Sequence, residues 1–148
     1  MDVLEVLGRV ELFEGLSPDD LAAVAKICHP RTFRAGDIIT RQGDKGSELF
    51  IVSEGLVEVV RDNPGDPNAP HAVVNLGRGQ IFGEMSLVDR GPRSASVRSV
   101  GDDTLVQVLR GDEFDRLCLD NLRVGYVVMR NMAADLSFKL RHRHLTGR

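Results

Sequence analysis

Long hydrophobic runs are missing from this chain. The most apolar stretches, such as Val124–Met129, are far too short to cross a bilayer. Charge of one sign is missing too. Nineteen Lys and Arg stand against 22 Asp and Glu, a net charge of −3, so no global basic field recruits nucleic acid or an anionic membrane. No nucleic acid partner and no membrane partner are expected for this chain alone. Cysteine is scarce: Cys28 and Cys118 are the only two, and neither lies in a C-x-x-C pair. Helical periodicity puts both on apolar faces, which suits buried, reduced thiols better than a metal or redox role. A basic leader is absent as well, since Met1-Asp2-Val3-Leu4-Glu5 carries acids where a signal peptide has its cationic region. A cytoplasmic location is the expectation.

What is present fits one domain over residues 1–148: 148 residues, 42% hydrophobic, enough for a sizeable core. Residues 1–30 read as helical. A short helix is expected around Val3–Leu7, with Leu12 and Phe13 packing where it meets the core. Ser17 is a good N-cap and Pro18 suits a first helical position. Leu21, Val24, Ala25 and Cys28 then recur at helical spacing, and Pro30 is expected to close that helix.

From residue 31 to 110 the period changes. Turns recur at Gly36-Asp37, Gly43-Asp44, Glu54-Gly55 and Gly77-Arg78-Gly79. Between them lie β-rich runs: Ile38–Thr40, Leu49–Val52, Leu56–Val60, Ala72–Leu76, Ala95–Val100 and Leu105–Leu109. Such spacing predicts a sandwich, jelly roll or barrel. Asn63–Pro70 is too rich in proline for a strand and reads as a hairpin loop. Residues 111–148 return to helical spacing. Phe114, Leu117 and Cys118 mark a short helix. A longer one spans about Leu122–Arg143, with Met129, Met132, Leu136 and Leu140 in a stripe. The expected class is mainly β with flanking helices: a β jelly roll between N-terminal helices and two C-terminal helices.

One run carries the chemistry: Phe82-Gly83-Glu84-Met85-Ser86-Leu87-Val88-Asp89-Arg90-Gly91-Pro92-Arg93-Ser94-Ala95. Backbone N–H groups around Gly83–Ser86 can point at phosphate oxygens. Arg93 adds a fork of charged donors. Glu84 is an acceptor unsuited to a phosphate and suited to a hydroxyl. The set fits a phosphate joined to a sugar.

This run resembles the phosphate-binding cassette of the cyclic nucleotide-binding domain family, whose pattern is F-G-E, a short variable stretch, then R-[STA]-A. Phe82-Gly83-Glu84 and Arg93-Ser94-Ala95 match it without a gap. The family's glycine pattern is present at Gly36-Asp37, Gly43-Asp44 and Gly55, where it turns the roll. One departure is Asn121-Leu122 where the family often has Asn-Pro, which bears only on a helix boundary. The resemblance implies a bound 3′,5′-cyclic nucleotide, cyclic AMP ahead of cyclic GMP, and no other cofactor. It implies that Arg93 pairs with the phosphodiester, Glu84 takes the ribose 2′-hydroxyl and Gly83 allows close backbone approach. Ser86 and Ser94 would face the phosphate through their N–H groups, and Met85 and Ala95 would shape the wall. Glu84 is also a candidate ion-pair partner for Arg93 in the empty site. Val73 and Val74 are candidate base contacts from the preceding strand, and Leu136, Lys139 and Leu140 from a lid in the last helix. That helix would carry the signal to a protein effector, or meet a second copy in a homodimer.

No nucleophile, base and orienting group are clustered, so binding without catalysis is expected. A jelly-roll metalloenzyme would need histidines on the roll strands. His29 lies beside a proline and His71 at a loop edge, and His142-Arg143-His144 sits in a basic tail without a carboxylate partner, so no metal site is expected. The remaining alternatives are a cyclic GMP sensor, or the ligand-binding half of a transcription regulator or channel.

Overall fold

The computed structural model describes residues 2–61 and 72–145. The expected hairpin loop at Asn63–Pro70 lies outside the described residues. Helix α1 spans Val3–Leu7, with the Asp2 carboxylate accepting from the Glu5 N–H at 2.9 Å. A 3₁₀ turn at Glu11–Phe13 buries Leu12 and Phe13. Helix α2 spans Pro18–Lys26 and begins with a capping box: the Ser17 hydroxyl accepts from the Asp20 N–H, and the Asp20 carboxylate accepts from the Ser17 N–H.

Among the described residues eight strands follow: β1 Cys28–Phe33, β2 Ile38–Thr40, β3 Glu48–Glu54, β4 Val57–Arg61, β5 Ala72–Leu76, β6 Ile81–Phe82, β7 Ser96–Ser99 and β8 Thr104–Arg110. They form two four-stranded sheets, ordered β1-β8-β3-β6 and β2-β7-β4-β5, with every pairing antiparallel. Helix α3 (Gly111–Asp120) and the 24-residue helix α4 (Leu122–Leu145) follow the last strand. Two antiparallel sheets with flanking helices are the jelly-roll arrangement.

The start of the roll differs from the sequence expectation. Pro30 does not close α2; it lies inside β1, opposite Gln107 of β8. Cys28 therefore opens a strand instead of ending a helical face. A proline is tolerated there because β1 is an edge strand, whose outer side has no ladder to donate to. Strand β6 was also not expected, since two residues leave no readable period.

Two cores divide the apolar residues. Phe33, Phe50, Val52, Val57, Phe82, Val97, Val106 and Val108 fill the space between the sheets. Val6, Leu7, Leu12, Phe13, Val24, Phe114, Val124, Val128 and Met132 pack with Leu49, Ile51 and Leu109 under the helices. Alternation along β3 sends Phe50 and Val52 into the first core and Leu49 and Ile51 into the second. Both faces of β3 are covered, which is why it reads as an unbroken apolar run. No helix among the described residues is long and apolar enough to cross a membrane.

The start of α4 is clamped to this body. Arg123 pairs with Asp20 and donates to the Gly15 carbonyl at 3.3 Å, and Asn131 donates to the carbonyls of Leu12 and Glu14 at 2.9 Å each. Val124, Val128 and Met132 are buried and Leu136 is partly buried, whereas residues 137–142 are exposed.

Candidate functional site

The connection from β6 to β7 passes from one sheet to the other across the mouth of the roll. It begins at Gly83, whose backbone is left-handed (φ 80°), and continues as a 3₁₀ turn over Glu84–Leu87. Glycine is required at that point for two reasons. A side chain would be strained at this φ, and a Cβ would lie 2.7 Å from Arg93 Nη1 and 2.8 Å from the Glu48 carbonyl oxygen. The end of the connection is held by backbone pairs. The Arg93 N–H donates to the Asp44 carbonyl at 2.7 Å, the Gly43 N–H donates to the Arg93 carbonyl at 2.9 Å, and Lys45 bridges Pro92. Its outer tip, at Arg90 (φ 54°), is tied to α3 by the Arg90–Asp115 ion pair at 2.5 Å.

Arg93 lies in the wall, with only 7% of its side chain exposed. Nη1 donates to the Ser86 hydroxyl at 2.7 Å and to the Glu48 carbonyl at 3.1 Å; Nη2 donates to the Glu48 carboxylate at 3.3 Å. The Phe50 ring lies 5.4 Å from the guanidinium carbon, and Phe82 stacks on Phe50 with ring centroids 4.8 Å apart. Burial pulls the Arg93 pKa down from its usual value, and the Glu48 charge works in the opposite direction. Guanidinium has five N–H donors, so Nε–H and one Nη2–H remain for a ligand.

The cavity beneath this connection has a volume of about 410 Å³. Gly83, Glu84, Met85, Ser86, Arg93, Ser94 and Ala95 all line it. The Glu84 carboxylate has no hydrogen bond or ion pair among the described residues. Arg93 takes Glu48, not Glu84, as its ion-pair partner, which corrects the expected pairing. The Ser86 N–H is engaged by the Gly83 carbonyl at 3.1 Å, and the Ser86 hydroxyl holds Arg93. Ser86 thus acts on the arginine instead of presenting a free N–H.

The five candidate base contacts separate. Val74 and Lys139 line the cavity with Thr40, Val59, Leu76 and Val97. Val73 does not, because strand alternation turns it away from Val74. Leu136 packs into the helical core and Leu140 is 57% exposed, so neither reaches the cavity in this conformation. Lys139 reaches the rim while paired with Asp135 at 2.9 Å. Sequence reasoning missed Glu48 and Gly46. A Cβ on Gly46 would lie 2.7 Å from Arg93 Nε, so this glycine makes room for the guanidinium. The Gly43-Asp44 turn was a visible signal just before Gly46, but nothing in it pointed to a residue 47 positions beyond Gly46.

Burial pushes both thiols up to about 11, Cys118 with help from Asp115, so each is a poor nucleophile at neutral pH. Among the described residues no group of three or more His, Cys, Asp or Glu could hold a metal ion.

Comparison with known proteins agrees with this geometry. The cyclic nucleotide-binding domain family matches residues 30–121. The cyclic AMP receptor protein of Thermus thermophilus is 37% identical over 134 residues, covering 90% of this chain and 59% of that protein. A cAMP-dependent protein kinase regulatory subunit of Dictyostelium discoideum is 35% identical over 115 residues, covering 77% of this chain and 35% of that protein. The crystal structure of the Thermus thermophilus catabolite activator protein superposes with a TM-score of 0.78 at 34% identity, covering 92% of this chain and 61% of that one. The regulatory domain of Toxoplasma gondii PKA, solved with cAMP, superposes with a TM-score of 0.74 at 26% identity, covering 91% of this chain and 48% of that one. The chain spans less than two thirds of the length of each of these relatives. On the fold, the cassette and these matches together, the chain belongs to the cyclic nucleotide-binding domain family, a family of ligand-binding regulatory domains.

Proposed function

We propose that this chain is a cyclic nucleotide sensor that binds 3′,5′-cyclic AMP ahead of cyclic GMP and reports occupancy through α4. One observation carries the reading: a buried guanidinium with donors to spare and an unpartnered carboxylate line one cavity. A cyclic phosphodiester meets the two free Arg93 donors, and the ribose 2′-hydroxyl meets Glu84. The base lies toward Val59, Val74, Leu76 and Val97, with Lys139 at the rim. The cavity volume falls within the range of small-molecule sites, roughly 300–1,000 Å³. The cyclic AMP preference is supported by relatives named for cAMP at 35–37% identity. A cGMP-dependent protein kinase of Caenorhabditis briggsae, 29% identical, keeps cyclic GMP as the second reading.

The ligand is held, not cleaved. The described cavity-lining residues include Arg, Glu, Ser and Lys but no histidine or cysteine, and the one serine hydroxyl near Arg93 accepts from it. Free, protonated thiols at Cys28 and Cys118 fit a cytoplasmic setting. The output surface is the exposed end of α4, where Phe138 (60% exposed) and Leu140 await a protein effector or a second copy of the chain. In a longer protein the same unit serves as the ligand-binding half of a transcription regulator or channel.

Calorimetric titration with cyclic AMP, cyclic GMP and linear AMP tests the reading. Cyclic AMP is expected to bind most tightly and linear AMP least. Equal affinity for linear and cyclic AMP, or no binding of either cyclic nucleotide, rejects it.

A further inference from the structure

We infer that Glu48 is the resident counter-ion of the ligand-free site, and that its negative charge lowers the affinity of Arg93 for an incoming anion. The inference rests on reading the cavity as an anion site and adds what tunes that site. A buried cation without a compensating charge is costly. Two neutral acceptors already aim the guanidinium: the Ser86 hydroxyl at 2.7 Å and the Glu48 main-chain carbonyl at 3.1 Å, both on Nη1. Gly46 and Gly83 make room for it there, since a Cβ at either position would lie within 2.7 Å of a guanidinium nitrogen. The Glu48 carboxylate adds little aim. It meets Nη2 at 3.3 Å, longer than the ~2.7–2.9 Å usual for such charged bonds, and the same oxygen also accepts from the Ser47 N–H at 3.3 Å. Its side chain is 37% exposed against 7% for Arg93. Loose contact and partial solvation suit a charge balancer that gives way.

When an anion takes the remaining donors of Arg93, two negative groups share one cation. Their repulsion opposes binding, and of the two only Glu48 has solvent to turn into. Glu48→Gln keeps an acceptor oxygen at the same reach and removes the charge, which separates aiming from charge balance. Glu48→Asp keeps the charge and withdraws it by one methylene.

The test measures cyclic AMP affinity and thermal stability for the wild type, Glu48→Gln and Glu48→Asp, with inorganic phosphate as the second probe. Glu48→Gln is expected to bind cyclic AMP roughly tenfold more tightly, the effect of ~1.4 kcal/mol of relieved like-charge repulsion. Glu48→Asp is expected to stay closer to wild type than to Glu48→Gln. Without anions, Glu48→Gln should melt at a lower temperature than wild type, and phosphate should raise its melting temperature more. Equal or weaker cyclic AMP binding by Glu48→Gln, with phosphate stabilising both proteins alike, overturns the inference. If Glu48→Gln fails to fold, rescue by phosphate supports the inference and failure of rescue overturns it. If neither protein binds cyclic nucleotide yet phosphate stabilises Glu48→Gln more, the counter-ion stands and the cyclic nucleotide reading falls.

Discussion

A guanidinium shut away from water needs acceptors on several sides, and Arg93 finds them on the Ser86 hydroxyl, the Glu48 carbonyl and the Glu48 carboxylate. Those contacts order the side chain before any ligand arrives, so little entropy remains to be lost on binding. Arg93→Ala is expected to weaken cyclic AMP binding by ~2–5 kcal/mol, from about 30-fold to several thousand-fold. Calorimetry measures this, and circular dichroism checks that the roll persists. Glu84→Gln is expected to cost less, about 1–2 kcal/mol, since the amide still accepts one hydrogen bond without the charge. The companion measurement is 2′-deoxy cyclic AMP, which lacks the donor; the wild type should bind it more weakly than the parent ligand. Gly83→Ala meets both a left-handed backbone and the Glu48 carbonyl 2.8 Å away. It is expected to destabilise the fold by about 1–3 kcal/mol and to lower affinity, read by urea denaturation and titration.

At the scale of elements, α4 is two things joined end to end. Its first three turns are tied down by Arg123, Asn131 and the buried stripe Val124, Val128, Met132, and beyond Leu136 it leaves the core. The free end carries Lys139 to the rim of the cavity. A ligand in the cavity can bias the position of this end because little else holds it. Hydrogen exchange at residues 134–142 should slow when cyclic AMP is added, while residues 123–131 change little. Equal protection with and without saturating ligand means that α4 is a static support. The clamp itself depends on pH through Asp20. The Ser17 N–H bond holds its carboxyl below the usual 3.8, helped by the Ser17 hydroxyl, Asn121 and Arg123 and opposed by burial. A lowered folded-state pKa means that the unfolded chain binds the proton more readily. Asp20 therefore contributes stability that is complete above the unfolded value and is lost as pH falls below 3.8 toward the folded value. Unfolding free energy measured from neutral to acid pH should show a shallower acid loss in Asp20→Asn than in wild type.

For the whole molecule, two sheets closed over one core and helices over another leave the cavity at the seam where the chain crosses between sheets. Residues of both sheets and Lys139 of α4 line that cavity, so a ligand bound in it should stabilise the fold as a unit. Cyclic AMP at 100 times its dissociation constant is expected to raise the unfolding free energy by about 2.7 kcal/mol. Thermal denaturation with cyclic AMP and with linear AMP at the same concentration checks this; equal shifts argue against a site built for the cyclic phosphodiester.

Much of this was legible in the residue order because it is local. Ser17-Pro18-Asp19-Asp20 carries its own capping chemistry, alternation and glycine turns mark six of the eight strands within a residue or two at most ends, and the cassette lies within fourteen consecutive residues. The family and its ligand class follow from that contiguous run. What depended on tertiary packing was non-local. Pro30 belongs to a strand because β8 lies on only one side of it, which no window around Pro30 contains. Leu140 and Val73 have side chains suited to a base but point elsewhere, because helix exit and strand register decide direction. The partner of Arg93 is Glu48, 45 residues away, and not the nearby Glu84, because β3 passes beneath the cassette and delivers both a carbonyl and a carboxylate to the guanidinium. Short-range chemistry is set by neighbours along the chain; which charges meet in a buried site is set by the path of the strands.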